Sequence, residues 1–360
     1  MTFRFSARGG NSSNRDDRDL GPELLTAAEA RRIHDELHWD ISCQLLGEVK
    51  ALRQDLEAHD AHMKMFAWEN YRRGGESLAD AKKRFYRSLP KATGGMRLLQ
   101  LGNAKLLGEF DALCKEHGLT YWIDFGTLLG AFRHDGFIPW DDDVDLGMMR
   151  SDVDALMAIV ASDSRYSVTV AYDRFVYCRQ VRFRYADESL PCFADIFIYD
   201  WCEKVDSQKA ECQRSLRCKM IDRINNDRAL SFWEEEPYYD GPRSAELEAC
   251  FERCRMESEE EGIICDNDDA GAVIWSVDNL DDGNQGQWSY SISDLFPTKR
   301  MTFEGVELEA PANPDVFLRS RYGDVMELPK DINTHFEHVD HDGLETSETA
   351  ASLRDLLSED

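Results

Sequence analysis

Residues 121–152 read YWIDFGTLLGAFRHDGFIPWDDDVDLGMMRSD, and the rest of the chain is best read outward from them. YWIDFG is an apolar, aromatic-rich run closed by Gly126, which predicts a strand over 121–126. Residues 127–132 suit a helix start, and Pro139 breaks the run 137–140. Behind the acidic run Asp141, Asp142, Asp143, a second short strand is expected over 144–149. A helix then follows over 152–161, capped by Ser151 or Asp152.

Asp143 and Asp145 are two residues apart, so on a strand both carboxylates point to one face. Like charges so close, with apolar residues beside them, need a compensating cation. A hard divalent ion such as Mg²⁺ or Mn²⁺ meets that need with oxygen ligands and commonly bridges to substrate phosphates. Two plainer readings compete. One is an unliganded acidic surface loop. The other is a calcium loop with Asp141, Asp143 and Asp145 at its first, third and fifth positions and Asp152 at its twelfth, but Leu146 stands where that loop needs glycine. Asp195, in the apolar strand CFADIFIYD, is the best third carboxylate, because an isolated one there is costly. Asp200, at the strand end, is the runner-up, and a core Asp bonded to amides or an Arg is the alternative for Asp195. Gly126 and Thr127 follow a strand and open a helix, where backbone amides and a hydroxyl can cradle a donor phosphate. Arg133 can neutralise phosphate or pair with the acidic run, and His134 is either an acid/base or a structural hydrogen-bonder.

Further out, residues 1–22 are polar and expected to be disordered. Over 26–64, Ile33, Leu37, Ile41, Leu45, Val49, Leu52 and Leu56 recur at helical spacing, predicting one or two amphipathic helices that offer a self-association surface. Residues 96–117 read as a helix stopped by Gly118. Strands are expected over 167–172, 175–185, 193–201, 272–277 and within 297–311, with helical sequence over 203–255 and 313–322. The acidic stretch 257–270 reads as a solvated loop and the last twenty or so residues as frayed.

The chain has 360 residues, 42% of them hydrophobic, enough for a substantial core. Seventy acidic against 42 basic residues give a net charge of −28, a field that repels nucleic acid and anionic lipid. No apolar run reaches membrane-spanning or signal-peptide length, so a soluble, cytoplasmic protein is expected; a Golgi lumen would require an anchor upstream of residue 1. The ten cysteines are irregularly spaced, and Cys114, Cys178 and Cys192 lie in apolar segments, as buried reduced thiols do.

The stretch GTLLGAFRHDGFIPWDDDVDLGMMRSD resembles the signature of the LicD family, which includes the fukutin-type proteins. CFADIFIYD, KRMTFEGVELEAP and FLRSRYG resemble its later elements, so the likeness runs over about residues 98–330. It implies a nucleotidyltransferase-like α/β (α+β) fold, a mixed sheet flanked by helices, here with an N-terminal helical extension. It also implies metal-dependent transfer of a phospho-alcohol, of the phosphocholine or polyol phosphate type, from a CDP-linked donor to a glycan or other hydroxyl acceptor. Asp143 and Asp145 would carry Mg²⁺ or Mn²⁺, and Asp195 or else Asp142 would take the acceptor proton or hold a second ion. Cys250, Cys254 and Cys265 form no tight pair, so the structural zinc of some fukutin-type members is not expected. The strands 121–126, 144–149 and 193–199 should then be neighbours in one sheet. The expected organisation is a disordered segment 1–22, a helical extension 23–95, a catalytic domain 96–330 and a polar tail 331–360. A glycosyltransferase or nucleotidyltransferase with the same Asp-x-Asp site is the alternative enzyme, and a scaffold without catalysis is the alternative outside enzymes.

Overall fold

The computed structural model describes residues 27–204, 207–280, 289–327, 338–344 and 346–358, so the expectation for residues 1–22 lies outside it. The chain forms two compact units, the first ending at Gly75 and the second starting at Glu76.

The first unit holds one helix, α1 (Ala27–Tyr71). Leu45, Val49, Leu52, Leu56, Met63 and Phe66 are exposed along it. Their spacings of four, three, four, seven and three residues keep the 3.5-residue period of a coiled-coil seam. Among the described residues no helix is long and apolar enough to cross a membrane.

The second unit opens with α2 (Leu78–Arg87), α3 (Gly94–His117), β1 (Tyr121–Ile123), α4 (Phe125–His134), β2 (Asp145–Met149) and α5 (Arg150–Val160). Then come β3 (Tyr166–Asp173), β4 (Cys178–Tyr185), β5 (Phe193–Cys202), α6 (Ser207–Asn226), α7 (Phe232–Glu235), β6 (Tyr238–Tyr239) and α8 (Ser244–Glu260). The remainder is β7 (Ala272–Trp275), β8 (Ser289–Ser291), α9 (Ile292–Leu295), β9 (Lys299–Phe303), β10 (Val306–Ala310), α10 (Pro314–Tyr322), α11 (His341–Leu344) and α12 (Ser347–Ser358). Gly118 ends α3 in the left-handed conformation that glycine adopts without a Cβ clash, as the sequence predicts.

The sheet is mixed, ordered β1-β2-β5-β4-β3-β6, with β7 pairing β5 and β8. β1 and β2 are antiparallel and β2 and β5 parallel, so the three strands expected to be neighbours are neighbours. β5 is the centre: β2 runs along one edge, while β4 and then β7 share the other. Side chains alternate between two cores. Val273 packs with Val181, Phe183 and Leu107, whereas Ala272 and Ile274 pack with Leu216, Met220 and Phe251 of α6 and α8. The sheet is therefore covered on both faces, which explains the long apolar strands. Cys114 of α3, Cys178 of β4 and Cys192 just before β5 are buried thiols.

Three readings need correction. The tail is not frayed: α12 buries Leu353 against α3, because a few apolar residues at helical spacing suffice to dock a polar helix. Residues 257–260 finish α8, and Ile263 and Ile264 are buried, so the acidic stretch is not wholly a solvated loop. α5 starts at Arg150, with Met149 and not Ser151 or Asp152 in the capping position.

The β9–β10 hairpin reaches toward the acidic run. Its turn residues Glu304 and Gly305 both have positive φ, 49° and 83°. Glu304 Oε1 accepts the Phe137 amide at 3.2 Å, and Oε2 accepts Arg97 at 2.6 Å and Lys91 at 2.8 Å. Burial opposes ionisation, but the Arg97 and Lys91 contacts outweigh it and bring the carboxyl from its ordinary 4.5 to about 2. Glu304 is thus ionised more readily when folded, so its contribution is present above about pH 4.5 and is lost as pH falls toward 2. Glu304→Gln should cost about 1–3 kcal/mol at neutral pH. It should also flatten the fall in urea stability between pH 4.5 and 2, whereas an unchanged acid slope would show that Glu304 does not hold this hairpin.

Candidate functional site

The register of three strands builds the site. Ile123 faces Leu146 across β1 and β2, and Asp145 faces Asp195 across β2 and β5. Neighbouring strands lie about 4.8 Å apart, so the two carboxylates arise side by side from the sheet. Asp195 N donates to Val144 O at 2.8 Å, which extends the ladder back toward Asp143. Asp143 precedes β2 instead of lying within it, yet its charge acts directly on Asp145.

The first turn of α4 clasps Asp145. The Gly126 amide donates to Asp145 Oδ2 at 2.9 Å, and the Asp145 amide donates to Thr127 Oγ1 at 2.8 Å. Asp124 caps the helix, taking the Phe125 amide, and receives the Tyr199 hydroxyl at 2.5 Å. A Cβ on Gly126 would lie 3.0 Å from Asp141 Oδ2 and 3.3 Å from Asp145 Oδ2, so glycine leaves room for two carboxylates. From α3, Gln100 donates to Asp141 O at 3.0 Å and Asn103 to Asp142 O at 3.3 Å, while Asn103 Oδ1 accepts the Phe193 amide. Both amides are buried, and Asn103 joins the acidic run to β5.

Asp141, Asp142, Asp143, Asp145 and Asp195 are all buried. Arg182 grips Asp195 through two bonds of 2.8 and 3.1 Å, and Gln180 Nε2 adds a third at 2.6 Å. Asp142 accepts the His338 and Val339 amides and the His338 ring at 2.9 Å. Burial works against that carboxylate, but the His338 bonds outweigh it and hold it down at about 2. Burial and then Asp141 push Asp143 up to about 8. Burial and then Asp143 push Asp145 well above the usual carboxylate range. Ionising both would thus place more negative charge there than the surrounding donors offset. Asp142, Asp143 and His338 also present ligand atoms within 4.8 Å of one another.

Of the residues expected here, Asp143, Asp145, Asp195, Gly126 and Thr127 come together. Arg133 does not join them. It sits in the last turn of α4, eight residues from Phe125, or about 12 Å along the axis. Its guanidinium bonds Val325 O and Glu327 O and lies 4.7 Å over the Tyr86 ring. His134 bonds Tyr86 O through Nδ1, and burial lowers it to about 4, so it is a neutral structural imidazole. Asp200, five residues along β5 from Asp195, is bound by Arg150 at 2.7 and 2.8 Å. Sequence reasoning missed Asp141 as a site member, Arg182 and His338. It also missed Arg321, which stacks 3.6 Å over the Phe125 ring and donates to Tyr199 at 2.6 Å, beneath the Gly126 turn. The His residues at 335, 338 and 341 in the tail were the available signal for the third.

The Arg182–Asp195 pair, with its aspartate buried and its arginine half-buried, gives a direct test. Arg182→Met should destabilise the protein by about 3–5 kcal/mol, because it strands a buried charge. Adding Asp195→Asn should restore much of that loss in a double-mutant cycle read by urea melts. Equal losses in the single and double variants would mean that the pair is not coupled.

Comparison with known proteins falls on the same residues. Residues 118–213 match the family model described as LicD/FKTN/FKRP, nucleotidyltransferase domain. Lipopolysaccharide cholinephosphotransferase LicD of Haemophilus influenzae is 34% identical over a region covering 29% of this chain and 44% of that protein. An uncharacterized protein of Rickettsia prowazekii is 37% identical over 27% of this chain and 34% of its own length. Ribitol 5-phosphate transferase FKRP of Homo sapiens is 58% identical over 36 residues, 10% of this chain and 7% of that protein. The chain spans less than half the length of these relatives. The likeness read from the Gly-Thr-Leu-Leu-Gly and Asp-x-Asp elements therefore stands, and residues 118–213 of the chain are similar to the nucleotidyltransferase domain of the LicD/FKTN/FKRP family.

Proposed function

We propose that the protein is a metal-dependent phosphotransferase that moves a phospho-alcohol, of the phosphocholine or polyol phosphate type, from a CDP-linked donor to a hydroxyl acceptor on a glycan. The observation that carries this reading is the burial of Asp143 and Asp145 beside Asp141 and Asp195, a cluster in which each acid raises the cost of ionising its neighbours. That donor set, all carboxylate oxygen, suits a hard divalent ion such as Mg²⁺ or Mn²⁺. The names of the cholinephosphotransferase and ribitol phosphate transferase relatives support the class of group transferred.

Asp143 and Asp145 would hold the ion, which supplies charge neutralisation on the donor phosphates. Gly126 keeps the approach to them open, and Thr127 fixes the Asp145 backbone. Arg321 braces the turn through the Phe125 ring and Tyr199. A carboxylate has roughly four lone-pair sites. Gln180 and Arg182 fill three on Asp195, which leaves it oriented and able to receive the acceptor's proton. Asp142 is a poorer proton acceptor, since its bonds to His338 and Val339 hold it at about 2. We place the catalytic domain at residues 96–330 and assign self-association to the apolar seam of α1.

Asp143→Asn and Asp145→Asn should each lower turnover of CDP-choline or CDP-ribitol at least about 10²-fold, and EDTA should abolish it, because an amide is a weaker ligand without charge. Turnover that persists in EDTA, or in either variant, would overturn the metal-centred reading. Turnover of sugar nucleotides alone would overturn the phospho-alcohol assignment. For α1, Leu52→Glu should shift sedimentation of the full chain to the monomer; a wild-type protein already monomeric at tens of micromolar would refute self-association.

A further inference from the structure

His338 comes from outside the matched family region, yet its ring stands against the acidic run. Three bonds fix it there. Its own amide and that of Val339 donate to Asp142 Oδ2 at 2.8 and 3.0 Å, and Nδ1 meets Asp142 Oδ1 at 2.9 Å. With the proton on Nδ1, the lone pair of Nε2 is directed away from Asp142. Nε2 lies 3.5 Å from Asp143 Oδ2. Two ligand atoms that are each about 2.1 Å from a shared ion stand about 3.0–3.4 Å apart, close to that distance. A carboxylate behind one imidazole nitrogen is also the usual support of a metal-ligating histidine, because it fixes both tautomer and ring orientation.

We propose that His338 is a nitrogen ligand of the divalent ion at the Asp143–Asp145 site and that Asp142 is the residue that orients it. This rests on the metal reading above and adds selectivity to it. Carboxylates alone bind Mg²⁺ and Mn²⁺ on similar terms, whereas imidazole favours Mn²⁺ and its neighbours in the transition series over Mg²⁺. Asp142 thereby acquires a role that explains its burial beside the two ligand-bearing aspartates: it serves the histidine and not the ion.

The test uses the full chain and the metals alone. Mn²⁺ bound to the wild-type protein should show imidazole nitrogen coupling in pulsed electron paramagnetic resonance, and His338→Gln should lose it. The same substitution should weaken Mn²⁺ binding by about tenfold in calorimetry while Mg²⁺ binding changes less than about twofold. The His338 side chain is 28% exposed, so glutamine fits there, and near-ultraviolet dichroism checks the fold. Asp143→Asn should abolish the nitrogen-coupled signal, which ties it to this site. Mn²⁺ bound by the wild type without nitrogen coupling, or bound equally by His338→Gln, would overturn the ligand role and leave the carboxylate site standing. Absence of Mn²⁺ and Mg²⁺ binding in the wild type would overturn both readings.

Discussion

The reciprocal clasp between Asp145 and the first turn of α4 is the contact on which the rest depends. The Gly126 amide holds the carboxylate, and Thr127 holds the backbone of the same residue. A helix start is positively polarised, so it lowers the cost of burying that charge. The clasp also fixes the beginning of β2, and β2 sets the register of β5. Sliding the pairing by one residue would turn Asp195 to the other face and leave Arg182 without its partner. Charge, helix position and strand register therefore specify one another.

The arrangement conflicts with the protein's net charge of −28, which makes further buried acid expensive. The fold meets that cost residue by residue. Asp195 has Arg182 and Gln180, Asp142 has His338 and two backbone amides, and Glu304 has Arg97 and Lys91. Asp143 and Asp145 are the pair left with raised affinity for protons, and a group that binds protons so strongly in place of water is placed to bind another cation.

Legibility from sequence follows how local each constraint is. β1, β2 and β5 were readable because apolar runs bounded by glycine, proline or acid are local signals, and Gly118 marked the end of α3 for the same reason. Asp145 and Asp195 were readable because a carboxylate in an apolar strand needs a partner wherever it goes, and Asp143 because it stands two residues before Asp145. Arg133 misled because closeness in sequence to Asp141 says nothing about which end of α4 it occupies, and the helix carries it six residues, about 9 Å, beyond Thr127. Arg182, Arg321 and His338 were not legible, since each reaches the site through pairings or segment packing that no local pattern announces. α12 was missed because a docked helix can be mostly polar when one face carries Ala350, Leu353 and Leu356.

These differences sort the site into two layers of unlike origin. The inner layer, Gly126, Thr127, Asp143, Asp145 and Asp195, lies within residues 118–213 and is held by strand register. The outer layer is brought by segments beyond that match: Glu304 from the β9–β10 hairpin, Arg321 from α10 and His338 from the tail. Register is rigid, because a sheet offers only discrete pairings. Contacts from a hairpin, a helix end and a tail can change one at a time without disturbing the carboxylates. A fold built this way can keep its buried carboxylates in register while the segments around them differ.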